Sequence, residues 1–113
     1  MKAHHRLKVW QRSIDFVIEI YKLTEEFPKS ELYGLTGQMR RAAVSIASNI
    51  SEGAGRNSRK EFKHFLSISQ GSVAELETQL IIAEKLNYCS DINTLFSELD
   101  EISKMIVGLI KTL

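Results

Sequence analysis

Apolar residues recur at steps of three and four through four long stretches of this 113-residue chain, with only short interruptions between them. That period lines up side chains on one face of a helix. A half-buried strand would need a step of two. Pro28, Gly34, Gly53 and Gly55 fall where the pattern breaks, and Pro28 is the only proline. Four amphipathic helices on short connections predict an all-α, antiparallel up-down-up-down four-helix bundle. The length fits a single domain over residues 1–113, able to bury a core without disulfides or metals.

Residues 1–8 are polar and basic, and fraying is expected there, with His4 and His5 in solvent. From Val9 to Phe27 two stripes run side by side. Trp10, Ile14, Val17, Tyr21 and Thr24 form one; Phe16, Ile20, Leu23 and Phe27 form the other. A wide apolar arc of this kind suits a helix packed against two or more neighbours. Pro28 ends it, because the residue before proline is pushed out of helical geometry. The second helix starts near Leu35, with Met39, Ala42, Ala43, Ile46 and Ile50 toward the core. Ser45, Ala47, Ser48 and Asn49 are all small, a composition that permits close helix approach. Gly53 and Gly55 are expected to supply the permissive backbone that stops this helix.

Ser58 with Glu61 matches the capping-box signature, so a third helix begins there. Its stripe of Phe62, Phe65 or Leu66, Ser69, Val73, Leu76, Leu80 and Ala83 continues to about Leu86. Gly71 in its middle is expected to mark a close backbone crossing. After a break at 87–90, Ser90 or Asp91 is positioned to cap a fourth helix. That helix carries Ile92, Leu95, Leu99, Ile102, Ile106, Leu109 and Leu113.

No catalytic constellation emerges. Glu61 and His64 form a Glu-x-x-His pair, but a di-metal bundle site needs a second pair, and neither His4 nor His5 supplies one. Cys89 is the only cysteine and has no evident base; a lone thiol fits a reducing, cytoplasmic setting. No Walker-type phosphate loop is present. The expectation is therefore no enzyme activity, no cofactor and no metal. The first residues lack the apolar core of a signal peptide, and no apolar run reaches the ~18 residues of a membrane helix.

Charge is uneven. Residues 1–64 hold 12 Lys/Arg against 7 Asp/Glu, and residues 65–113 hold 3 against 7. Arg56, Arg59, Lys60 and Lys63 are spaced to share one surface. Arg12, with Arg6 and Lys8, joins them if the first and third helices start at the same end. This surface reads either as a phosphate-binding site or as a solvated basic face. Arg40 and Arg41 point about 100° apart, so both cannot sit on one narrow face. With Ser45 and Ser48 they predict a subunit contact.

Several stretches resemble a known family. They are L-x-V-W-Q at 7–11, F-P at 27–28, Y-G-L at 33–35, Q-M-R-R-A-A-V-S-I at 38–46, N-I-S-E-G-A-G-R at 49–56 and G-S-V-A-E-L-E-T-Q-L at 71–80. From about Leu7 to Tyr88 the chain resembles the small four-helix-bundle proteins encoded in intervening sequences of bacterial 23S rRNA genes. The resemblance implies a bundle that assembles into a ring, typically of five subunits, with no established enzymatic activity. A related bundle, the accessory protein of diversity-generating retroelements, forms a basic ring that binds nucleic acid and a reverse transcriptase. The partners so implied are further copies of the chain, RNA, and alternatively a protein such as a reverse transcriptase, with no membrane role.

Overall fold

A computed structural model describes residues 3–113. Four helices carry the fold: α1 (Lys8–Thr24), α2 (Leu35–Ala54), α3 (Arg59–Lys85) and α4 (Asn93–Thr112). Two short 3-10 turns, Ala3–Arg6 and Lys29–Glu31, precede α1 and α2. No strand occurs among the described residues. The 27 residues of α3 span about 40 Å at 1.5 Å per residue, close to the molecule's long dimension of 43 Å.

The helices form a four-membered ring in cross-section. α1 packs on α2 and α4, and α3 packs on α2 and α4, while neither diagonal pair meets. The α2–α3 seam is the most extensive and runs antiparallel. Gly53 faces Phe62 and Phe65, Ile46 faces Ser69, and Ser45 faces Ser72. The α1–α4 seam is antiparallel as well, with Leu7 and Val9 beside Met105 and Thr112, and Asp15 and Glu19 beside Thr94 and Leu95.

The core is one continuous cluster that includes Phe16, Ile20, Met39, Ile50, Leu76 and Ile102. In α2, α3 and α4 the residues the periodicity assigns are buried or, as with Leu35, Phe62, Leu95, Leu109 and Leu113, partly buried against the core. In α1 the stripe of Phe16 and Ile20 faces the core more fully than that of Ile14 and Tyr21. Val9, Ser13, Phe16, Ile20 and Thr24 are buried, whereas Ile14 and Tyr21 remain 38% and 41% exposed. Two neighbours cannot cover so wide an apolar arc, so one edge of it stays outside.

Several local expectations are corrected. Ala3–Arg6 form a turn where fraying is expected, and His4 and His5 are half-buried against Trp10; Met1 and Lys2 lie outside the described residues. Among the described residues no glycine has positive φ. Gly53 matters through proximity instead: a Cβ there would lie 2.8 Å from the Phe65 Cβ and 3.0 Å from the Phe62 Cδ1. Gly71 is exposed, and a Cβ there meets nothing within 4 Å, so it marks no helix crossing in this chain.

The start of α3 is as expected, with Ser58 Oγ accepting the Glu61 N–H at 3.1 Å. α4 lacks a side-chain cap. Asp91 adopts φ 53° and turns the chain, which leaves Ile92 at the cap position. α2 is capped from a distance: the Leu35 N–H donates to Glu31 Oε1 at 3.1 Å, and Tyr88 Oη donates to Glu31 Oε2 at 2.7 Å. One carboxylate thus ties the α1–α2 connection to the α3–α4 connection.

Candidate nucleic-acid and assembly surfaces

The basic cluster sits where α2 hands over to α3. Arg59, Lys60 and Lys63 lie on the exposed face of the first turns of α3. Among the described residues no carboxylate lies within ion-pair distance of them. Arg56 behaves differently. Its guanidinium pairs with Glu52 at 2.6 Å and Glu61 at 3.5 Å and lies 4.9 Å over the Phe65 ring. It therefore clamps the turn and occupies both nearby acids.

Arg12 leaves the expected cluster altogether. It faces α4, where Nε donates to Glu98 Oε2 at 2.9 Å and Nη2 donates to Oε1. The hydrogen bond to Glu98 is the main cause that raises the Arg12 pKa above its ordinary value. This pair fixes the α1–α4 seam, so Arg12 is not an open cation.

The residues expected at a subunit contact separate. Arg40 is held inside the chain: Nε donates to Thr24 Oγ1 at 2.9 Å, and the guanidinium lies 4.5 Å over the Tyr21 ring. Ser45 turns to α3 and accepts from Ser72 Oγ at 2.9 Å. The small size of Ser45 thus serves the α2–α3 seam within one chain. Arg41 and Ser48 are exposed on the outer face of α2.

Arg40, Arg41 and Ser45 nevertheless share a groove of about 650 Å³ with Tyr21, Leu32, Tyr33, Gly37 and Val44. Tyr33 is 93% exposed, and Leu32 is 47% exposed. Gly37 lets the chain fold tightly here, because a Cβ would lie 2.8 Å from the Leu32 carbonyl oxygen and 3.2 Å from Arg41 Nη1. Sequence reasoning missed Tyr33. Its place beside Gly34 in the α1–α2 connection, outside every apolar stripe, was the available signal.

Catalytic chemistry finds little support. Burial, and then the charge of Glu84, push the Cys89 thiol up, away from the reactive thiolate. His64 is exposed and packs edge-on to Phe65 at 5.5 Å. Among the described residues no group of three or more His, Cys, Asp or Glu side chains is arranged to hold a metal ion. Nor, among them, is any helix long and apolar enough to cross a membrane.

Comparison with known proteins agrees with the fold. A protein with unknown function from the S23 ribosomal protein family of Bacteroides thetaiotaomicron superposes with a TM-score of 0.84 at 24% identity. The match covers 91% of this chain and 95% of that one, and at this identity it shows a shared fold. No curated protein matches the sequence. The model of one family, described as the 23S rRNA-intervening sequence protein, matches residues 5–108. This four-helix chain belongs to the 23S rRNA-intervening sequence protein family.

Proposed function

We propose that this protein is a non-enzymatic, self-associating helical bundle that binds RNA through the basic turn opening α3. One observation carries the reading: Arg59, Lys60 and Lys63 are exposed together without an acidic partner among the described residues. Here Arg56 has drawn off Glu52 and Glu61. Open cations on a rigid helix neutralise phosphates and release counterions, which supplies sequence-independent affinity. The test is RNA binding by the Arg59→Ala/Lys60→Ala/Lys63→Ala variant. We expect at least a tenfold loss, whereas Arg12→Ala leaves affinity within about twofold. Wild-type affinity in the triple variant overturns the assignment.

Self-association is proposed through the α1–α2 groove, with five copies closing the ring. A second reading, a scaffold that recruits a protein such as a reverse transcriptase, is favoured by the same feature. Tyr and Arg are enriched at the centres of protein interfaces, and Tyr33 stands 93% exposed beside Arg41. A protein partner retained after nuclease treatment and lost in Tyr33→Ser supports the second reading over the first.

A further inference from the structure

The helix ends sort the charge of the whole molecule. Lys8 to Thr24 is 17 residues, about 26 Å of helix. Thr24 meets Arg40, in the second turn of α2, yet the Ala3–Arg6 turn at the other end of α1 also touches α2. That turn therefore meets the far end of α2, where Gly53 lies on Phe62 and Phe65 at the start of α3. The end of α4 arrives at the same place, with Thr112 beside Lys8. One end of the bundle thus gathers Arg6, Lys8, Arg59, Lys60, Lys63 and Lys111, all exposed.

Aromatic rings stand at the same end. Trp10 packs against the core, and His5 lies 5.0 Å from it at 30°. His4 meets both rings edge-on, at 4.4 Å from His5 and 5.0 Å from Trp10. The two imidazoles are partly exposed. With neighbouring helices packed about 9 Å apart, the corner of α1 and the diagonal corner of α3 are separated by roughly 13 Å. A few nucleotides span that distance.

We infer that the RNA bound at this end carries unpaired bases, one of which stacks on the His5–Trp10 rings while its flanking phosphates lie on the cations. The inference rests on the RNA-binding reading above. An A-form duplex hides its base faces and offers mainly phosphates and 2′-hydroxyls. Cations alone would accept a duplex; cations beside partly exposed rings select loops, bulges and single strands.

Trp10 is the only tryptophan, so its emission reports on this stack. The full chain is titrated with a short single-stranded RNA and with a blunt duplex of the same sequence. Label anisotropy and Trp10 fluorescence are followed separately. The expected result is saturable quenching that tracks anisotropy for the single strand, and duplex binding without quenching. His5→Ala weakens single-strand binding about tenfold and leaves duplex affinity within about twofold, and His5→Phe restores the loss. Single-strand binding with unchanged Trp10 emission overturns the inference and leaves the basic turn standing. Equal losses on both RNAs in His5→Ala overturn it in the same way. Binding to neither RNA removes the RNA reading itself, and the inference with it.

Discussion

At the residue scale the most consequential side chain is Glu31, which joins two connections far apart in sequence. The Tyr88 hydroxyl, and after it the Leu35 N–H, hold its carboxyl below the usual carboxylate value. A carboxylate depressed on folding contributes stability above its unfolded pKa and loses it as pH falls through the folded value. The same bond raises the Tyr88 phenol above its ordinary value, so that contribution is present below about pH 10 and lost as pH rises through the folded pKa. Tyr88→Phe is therefore expected to lower the urea midpoint at pH 7. The gap from wild type narrows in acid, below the ordinary carboxylate value of 4.5. A gap of constant size down to pH 3 contradicts this role.

Two glycines make a paired prediction of opposite sign. Gly53→Ala drives a methyl into Phe62 and Phe65 and is expected to cost about 1–3 kcal/mol. Gly71→Ala adds a methyl in open space on a helix surface and is expected to gain up to about 1 kcal/mol. Thermal melts of the two variants should move in opposite directions.

At the scale of elements, the α2–α3 pair is the spine of the bundle. Ser69 is fully buried and donates to the Ile46 carbonyl at 2.9 Å, a contact that only a small side chain permits between facing backbones. Ser69→Ala should cost about 0.5–1.5 kcal/mol in chemical denaturation. Ser48→Ala, on the exposed face of the same seam's helix, should stay within about 0.5 kcal/mol of wild type. These contacts also explain which parts of the fold were legible. Periodicity identified all four helices, and the Ser58–Glu61 signature located the start of α3, because both are local properties. Ranking the two stripes of α1 required knowing that only α2 and α4 reach it. Reading Arg12 as open, or Gly71 as a crossing point, failed for the same reason. Glu98 is distant in sequence from Arg12, and only the packed seam brings it there. Glu31 and Tyr88 likewise meet through tertiary structure alone.

At the scale of the whole molecule, one end is basic, while large apolar side chains stay partly exposed on every helix; Ile14, Ile18, Tyr21, Leu32, Tyr33 and Val44 are those on α1, α2 and the connection between them. Contiguous apolar surface beyond a few hundred Å² usually marks an interface. Light scattering at micromolar concentration is expected to give a multiple of the 12.9 kDa chain, and Tyr33→Ser/Arg41→Glu is expected to lower that mass. A monomer in the wild type removes the proposed assembly. The candidate surfaces were only half legible in the sequence. Arg59, Lys60 and Lys63 could be read from spacing on one helix, but the groove is built by three separate segments.

The central claim is that the basic turn of α3 holds RNA by its phosphates. It is tested most directly by the salt dependence of binding to a single-stranded RNA, in wild type and in the Arg59→Ala/Lys60→Ala/Lys63→Ala variant. Each phosphate contact on a single strand contributes roughly 0.7 to the slope of log K against log salt concentration. The wild type should show a steep negative slope, and the variant a slope shallower by about 2. Two superimposable lines contradict the account.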